Sequence, residues 1–111
     1  MNKILKILIV LNDLDEKLKI FRDERYREIF NISTRMIEIW EKKRENEFKK
    51  LPPEVQENYE RLRKRYGFGL ASVTEGSCNN CNQKLPTFMF AIKNPNKELR
   101  TCPNCGIYII L

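Results

Sequence analysis

The placement of the four cysteines constrains this chain more than any other feature. All four fall in its last third, as Cys78-Asn79-Asn80-Cys81 and Cys102-Pro103-Asn104-Cys105, with 20 residues between the pairs. A C-x-x-C segment puts two sulfurs on one tight turn, and two such turns complete a tetrahedron of thiolates around one ion. Thiolate sulfur in that geometry favours zinc over harder cations. Gly106 follows the second pair and can take the positive φ that lets backbone N–H groups point at metal-bound sulfur. Asn82, the residue type that best replaces glycine in that conformation, follows the first pair. Cys78, Cys81, Cys102 and Cys105 are therefore the expected ligands of a single zinc ion. Two alternatives use the same residues. Disulfides would need an oxidising compartment, and C-x-x-C spacing is tight for a structural bridge within either pair. Iron, in a rubredoxin-like electron carrier, takes the same ligand set, although rubredoxin-type turns usually carry glycine after both pairs.

The expected role of the ion is structural, because four protein ligands leave no open position for water or substrate. The stretch from Gly76 to Leu111 is 36 residues, below the roughly 40 at which a chain usually stabilises a core alone. Zinc binding, worth on the order of 10–16 kcal/mol, is expected to fold it.

The chain has no histidine. That removes the commonest general base, every Ser-His or Cys-His nucleophile pair, and all mixed His/Cys zinc sites. Its four glycines are not grouped as a phosphate-binding loop requires. The composition thus argues against an enzyme. The formal charge is +6, and four thiolates on one divalent ion would bring it near +4. Residues 76–111 carry four basic side chains and one acidic one, against 13 and 10 in residues 1–50 and four and four in residues 51–75. Such a balance permits contact with nucleic acid without demanding it. The longest apolar run, Ile7 to Leu11, falls far short of the ~18–20 residues that span a bilayer. Asn12-Asp13 follows it where a signal peptide would have a small-residue cleavage site. The expected setting is the cytoplasm, away from membranes, where thiols remain free to bind metal.

Upstream of the cysteines the chain reads as helical. Ile4, Ile7, Leu11, Leu14, Leu18 and Phe21 recur in steps of three and four, a coiled-coil-like stripe. The register slips after Phe21, and Asn31-Ile32-Ser33-Thr34 supplies capping residues that predict a break. Leu51-Pro52-Pro53-Glu54 predicts a second one, with Pro53 at the first position of a new helix. Val55, Tyr59, Leu62 and Tyr66 share a face of that helix, Trp40 belongs to the helical layer, and Gly67 is the stop. A continuous helix over residues 2–50 would be about 70 Å long, against about 20 Å for residues 54–66. Either the first segment folds back near 31–34 or a second chain covers its stripe, as in a homodimer through the N-terminal helix.

The rest reads as short strands. Phe68 to Val73 leads into the first cysteine turn. Thr87 to Ile92 and Glu98 to Thr101 flank Asn94-Pro95-Asn96-Lys97 as a β-hairpin, and Ile107 to Leu111 forms the last strand. Phe88, Phe90 and Tyr108 are the expected small core, the alternative being a platform on which unpaired bases stack. The expectation is an α+β chain, with a helical hairpin or coiled coil over residues 1–66 and a small β zinc ribbon over 67–111.

With both halves in view, the chain resembles the bacterial zinc-ribbon family that carries an N-terminal coiled-coil hairpin. LKILIVLNDLDEKL (Leu5 to Leu18) is similar to the family's leucine-rich opening, and LPPEVQENYERLRKRYGFGLASV (Leu51 to Val73) to the helix and strand before the ribbon. CNNCNQKLP and CPNCG match its C-x-x-C…L-P and C-P-x-C-G elements. Members are typically much longer. Ile107 stands where many carry an arginine, which removes a cation that could meet phosphate. The resemblance implies a non-enzymatic adaptor or regulator, and its members are associated with an alternative sigma factor, flagellar export components or RNA.

Two functions follow as expectations. One is a protein-binding adaptor that uses the helical seam and the ribbon. The other is a nucleic-acid-binding regulator that uses Arg61, Arg63, Lys64 and Arg65 at the end of the short helix, with Lys84, Lys93, Lys97 and Arg100 on the ribbon. The alternative for the first cluster is a solvated helix end that satisfies its own dipole.

Overall fold

The fold is that of a computed structural model, which describes residues 1–89 and 93–111. Asn2 starts the first helix: its Oδ1 accepts the N–H groups of Ile4 and Leu5 at 2.9 and 3.1 Å, which satisfies two of the donors that a helix start leaves open. Helix α1 then runs over Lys3–Phe21. It ends where the apolar register slips. Asp23 caps a short helix α2, Glu24–Ile29, and Arg27 reaches back to the carbonyls of Phe21 and Arg22 at 3.0 and 3.1 Å. Asn31 at φ 56° turns the chain, and Ser33 caps α3, Thr34–Lys49. Trp40 meets Phe21 and Arg44 meets Asp15, so α3 returns antiparallel along α1. Helix α4, Pro53–Tyr66, starts on the second proline and stops at Gly67 with φ 86°.

The stripe on α1 is buried within the chain, by α3 on one side and by α4 and the sheet on the other. Leu11, Leu14 and Leu18 are buried as expected, whereas Ile4, Ile7 and Phe21 are half-buried, and Leu5 and Leu8 are fully enclosed in their place. The buried face turns around the helix because it has two partners: Leu8 and Leu11 join the cluster that holds the sheet, and Asp15 meets α3 and α4. A second chain is not needed to cover this seam.

Four short strands form a curled mixed sheet: β1 (Leu70–Thr74), β2 (Ser77–Cys78), β3 (Arg100–Thr101) and β4 (Tyr108–Ile110), in the order β2-β1-β4-β3. β1 runs parallel to β4, with Leu70 opposite Tyr108, while the two outer pairings are antiparallel. Helices followed by a small sheet make the chain α+β.

Several local expectations are corrected. Thr87–Met89 is a turn of 3-10 helix, as is Pro95–Lys97; the rest of the expected strand, Phe90 to Ile92, lies outside the described residues. β3 pairs with β4, and Thr87–Met89 is not a strand beside it. Pro86 and Pro95 lack the N–H that a ladder needs. Asn96 is used differently: its side chain bonds the N–H and C=O of Leu111 at 2.7 and 3.2 Å, and its carbonyl accepts the N–H of Asn2 at 2.9 Å. Phe88 is 69% exposed, and among the described residues of the lobe the buried aromatic is Tyr108; Phe90 lies outside them. Among the described residues the C-terminal lobe shares its core with the helices. Ile107, Tyr108, Ile109 and Ala71 join one apolar cluster with Leu8 and Leu11 of α1 and Val55, Tyr59 and Leu62 of α4. Apolar packing therefore supports the lobe alongside whatever the cysteines bind.

One charge sits inside. Asp15 is 5% exposed, accepts the Tyr59 hydroxyl at 2.6 Å and Arg44 Nε at 2.8 Å, and has Arg63 Nε at 3.5 Å. Arg44 and Arg63 also pair with Glu60. Buried charge is tolerated only when paired and hydrogen-bonded, and this network ties α1, α3 and α4 together.

Candidate metal centre

Each cysteine pair sits on a turn closed in the same way. Asn82 N–H bonds the carbonyl of Cys78 and Gly106 N–H that of Cys102, both at 2.8 Å. Asn82 and Gly106 take φ values of 62° and 79°, the left-handed conformation expected after each pair. The first turn is fastened to β1, where Asn79 Nδ2 donates to Ser72 Oγ at 2.7 Å and Thr74 Oγ1 at 3.0 Å. The second is fastened to α4, where the Tyr66 hydroxyl donates to the carbonyl of Cys105 at 3.0 Å.

These turns bring all four sulfurs together, within 4.8 Å of one another. Across the turns, Cys78 Sγ lies 3.9 Å from Cys105 Sγ, and Cys81 Sγ 3.7 Å from Cys102 Sγ. A regular tetrahedron with metal–sulfur bonds of about 2.3 Å has sulfur–sulfur edges of about 3.8 Å. The separations fit that edge and are far from the ~2.05 Å of a disulfide; all four cysteines are free thiols. The residues present fit a four-thiolate metal ion.

The donors around the sulfurs suit anionic ligands. The backbone N–H groups of Asn80 and Cys81 favour the Cys78 thiolate, and those of Asn104 and Cys105 the Cys102 thiolate. Burial nevertheless pushes the Cys78 thiol up to about 12 and raises Cys102 as well. The more exposed Cys81 is brought down to about 6, chiefly by a hydrogen bond from the Asn104 side chain. Buried thiols of this kind give up their protons to a cation rather than to water. Cys78 and Cys102 face the interior, while Cys81 and Cys105 are half-exposed. A tetrahedral ion held by all four sulfurs would have no open position.

The basic residues form two groups. On α4, Arg61 is exposed and bonds Asn58 at 2.9 Å, Lys64 is exposed, and Arg65 lies over the Tyr66 ring at 5.2 Å. Arg63 instead turns inward to Asp15 and Glu60. On the C-terminal lobe Lys84, Lys93 and Lys97 are exposed, while Arg100 is half-buried and pairs with Glu98 at 3.2 Å. Sequence reasoning missed the supporting roles of Asn79, Asn104 and Tyr66. The signal available for the asparagines was their place inside the C-x-x-C turns, where an amide has sulfur and strand ends within reach.

The searched family models do not match this chain, nor do the searched curated proteins. A solved structure does. The fold is similar to that of the HP0958 protein from Helicobacter pylori CCUG 17874. The TM-score is 0.59, with 22% identity over 85% of this chain. The chain spans 40% of the length of that structure. At this identity the likeness speaks for the fold alone.

Proposed function

We propose that this chain is a non-enzymatic zinc-ribbon adaptor: one zinc ion on Cys78, Cys81, Cys102 and Cys105 holds the C-terminal lobe in shape, and the lobe docks a protein partner. The observation that carries this reading is the tetrahedral spacing of four sulfurs on two matched turns with no position left open. It supports a structural metal and gives a substrate nowhere to bind the ion. Zinc is preferred to iron because Asn82 stands where rubredoxin-type turns usually carry glycine. The resemblance of both ends of the chain to the bacterial zinc-ribbon family, together with the fold shared with HP0958, supports the same reading.

The helical seam is already buried by α3 and α4, so docking falls to the lobe. A cleft of about 350 Å³ there is lined by Pro86, Phe88, Met89, Leu99, Arg100, Thr101 and Pro103, with Phe88 projecting from it. Apolar and aromatic side chains beside one cation suit a short apolar segment of another protein. Metal analysis of protein purified without added metal tests the first half: one zinc per chain and no colour is expected, whereas a red ferric preparation overturns it. A second reading, binding to nucleic acid, is favoured by the exposed Lys64, Arg65, Lys84, Lys93 and Lys97. Phosphate-driven binding weakens steeply between about 50 and 200 mM salt. A mobility-shift titration with RNA and with single- and double-stranded DNA that shows no retention at the lower salt eliminates this second reading.

A further inference from the structure

We propose that the tip of the helical hairpin is a self-association surface, through which two copies of this chain pair about a two-fold axis. The inference is independent of the metal and of the lobe's partner. Helix α2 has no buried residue. Ile20, Tyr26, Ile29, Phe30, Met36 and Ile39 are all 40–72% exposed, and all fall in the turn or on the parts of α1 and α3 that flank it. They are not loose. The Phe30 ring stands edge-on to Phe21 with centroids 5.7 Å apart, and Phe21 leans on Trp40 at 5.8 Å, so an aromatic base backs the exposed side chains.

Size and charge both select a second copy as the occupant. Side chains of this kind, exposed to this degree, present roughly 600 Å² of surface, at the upper limit of apolar patches on monomers. A standard interface buries about 800 Å² per partner, of which somewhat more than half, roughly 450 Å², is apolar. The tip supplies that amount. Residues 20–40 carry four basic side chains (Arg22, Arg25, Arg27, Arg35) and four acidic ones (Asp23, Glu24, Glu28, Glu38), so the whole formal +6 lies elsewhere. Arg25 is already paired with Asp23 at 3.0 Å, and Arg27 with the end of α1. A neutral tip offers nothing to phosphate or to an acidic partner, and it lacks the charge pattern by which a foreign protein would be selected. Two identical tips need no such pattern. Helix α1 holds the tip about 28 Å from its own start, several times the ~8 Å screening length at physiological salt. Tip-to-tip pairing therefore keeps the two basic lobes apart, and an isologous contact buries the same patch on both copies.

Sedimentation equilibrium of the full metal-loaded chain, up to about 200 μM, tests this. The mass is expected to rise from one chain to two with concentration, and to do so equally at about 0.15 and 0.5 M salt. Ile29→Lys and Phe30→Glu should each weaken pairing at least about ten-fold; helical circular dichroism should be unchanged in Ile29→Lys, the most exposed of the six, and checks that Phe30→Glu, which gives up the Phe21 contact, stays folded. Phe88→Ser on the C-terminal lobe should leave pairing intact. A chain that stays monomeric across the range overturns the proposal. So does a dimer that survives both tip variants or is lost in Phe88→Ser.

Discussion

Replacing Asp15 by alanine is expected to destabilise the fold by about 3 kcal/mol, the low end for breaking a buried ion pair. The carboxylate is nearly enclosed and serves three donors: Tyr59 at 2.6 Å, Arg44 at 2.8 Å and Arg63 at 3.5 Å. Its loss strands a buried hydroxyl and takes a counter-charge from two guanidiniums. The low end applies because those side chains are 20% and 27% exposed and keep Glu60, so water and the second carboxylate make up part of the loss. For a chain of this length the melting point should fall by about 10 °C. Urea unfolding of Asp15→Ala, Tyr59→Phe and the double variant, followed by helical circular dichroism with metal present, isolates the central bond. A hydroxyl donating to a buried carboxylate is worth roughly 1.5–3 kcal/mol, so the cycle should return a coupling of at least about 1 kcal/mol. A single-variant cost below about 1 kcal/mol, or a coupling near zero, would refute the view that Asp15 links the three helices.

The same tyrosine has an alkaline signature. Burial, followed by the neighbouring Asp15, raises Tyr59 above its ordinary value of 10.0. The folded chain keeps a phenol proton that the unfolded chain releases, so this contribution is complete below about pH 10 and is lost as pH rises further, by up to about 1.4 kcal/mol per unit. Unfolding titrations above pH 10 should show a shallower fall in Tyr59→Phe than in the natural chain. At Gly69 an added methyl would come within 2.5 Å of the Tyr59 ring, whereas at Gly106 it would meet nothing and only the positive φ is strained. Gly69→Ala should therefore cost about 2–3 kcal/mol and Gly106→Ala about 1 kcal/mol, and equal melting points would contradict that order. Stripping the metal with a chelator at neutral pH should speed amide exchange at Ser77 to Leu85 and Arg100 to Gly106 while the pairing of α1 with α3 persists. Unchanged exchange in the cysteine turns would refute the metal's role.

The features legible in the sequence were those whose chemistry is local. Four sulfurs at C-x-x-C spacing announce a shared site whatever surrounds them. Pro52-Pro53 and Gly67 bound α4 because a missing N–H and a left-handed residue act where they stand. The turn near 31–34 followed from caps, and the structure adds a second one after Phe21, where the stripe changed register. Thr87–Met89 was misread as strand because Asn-Pro-Asn-Lys is a strong turn signal, and such a signal does not say that the residues before it are extended. Asn96 spends its hydrogen bonds on Leu111 and Asn2, partners 15 and 94 residues away in sequence. The shared core was equally hidden. Periodicity marks Leu8 and Leu11 as apolar but not what lies against them, and only the fold shows that they share a cluster with the sheet. Asp15 was visible as an acid beside the stripe, yet its three partners lie on two other helices.

The hydrogen bonds of Asn96 have a practical consequence. They place the first turn of α1 and the final residue of β4's extension at one corner of the molecule, at the opposite end of α1 from the hairpin tip. Fluorophores attached to the two ends would transfer energy efficiently while the cysteine lobe stays docked on α1 and would dim that signal once it lifts away. The molecule thus carries a ready position for an optical gauge of its own opening, one that leaves both the sulfurs and the tip untouched.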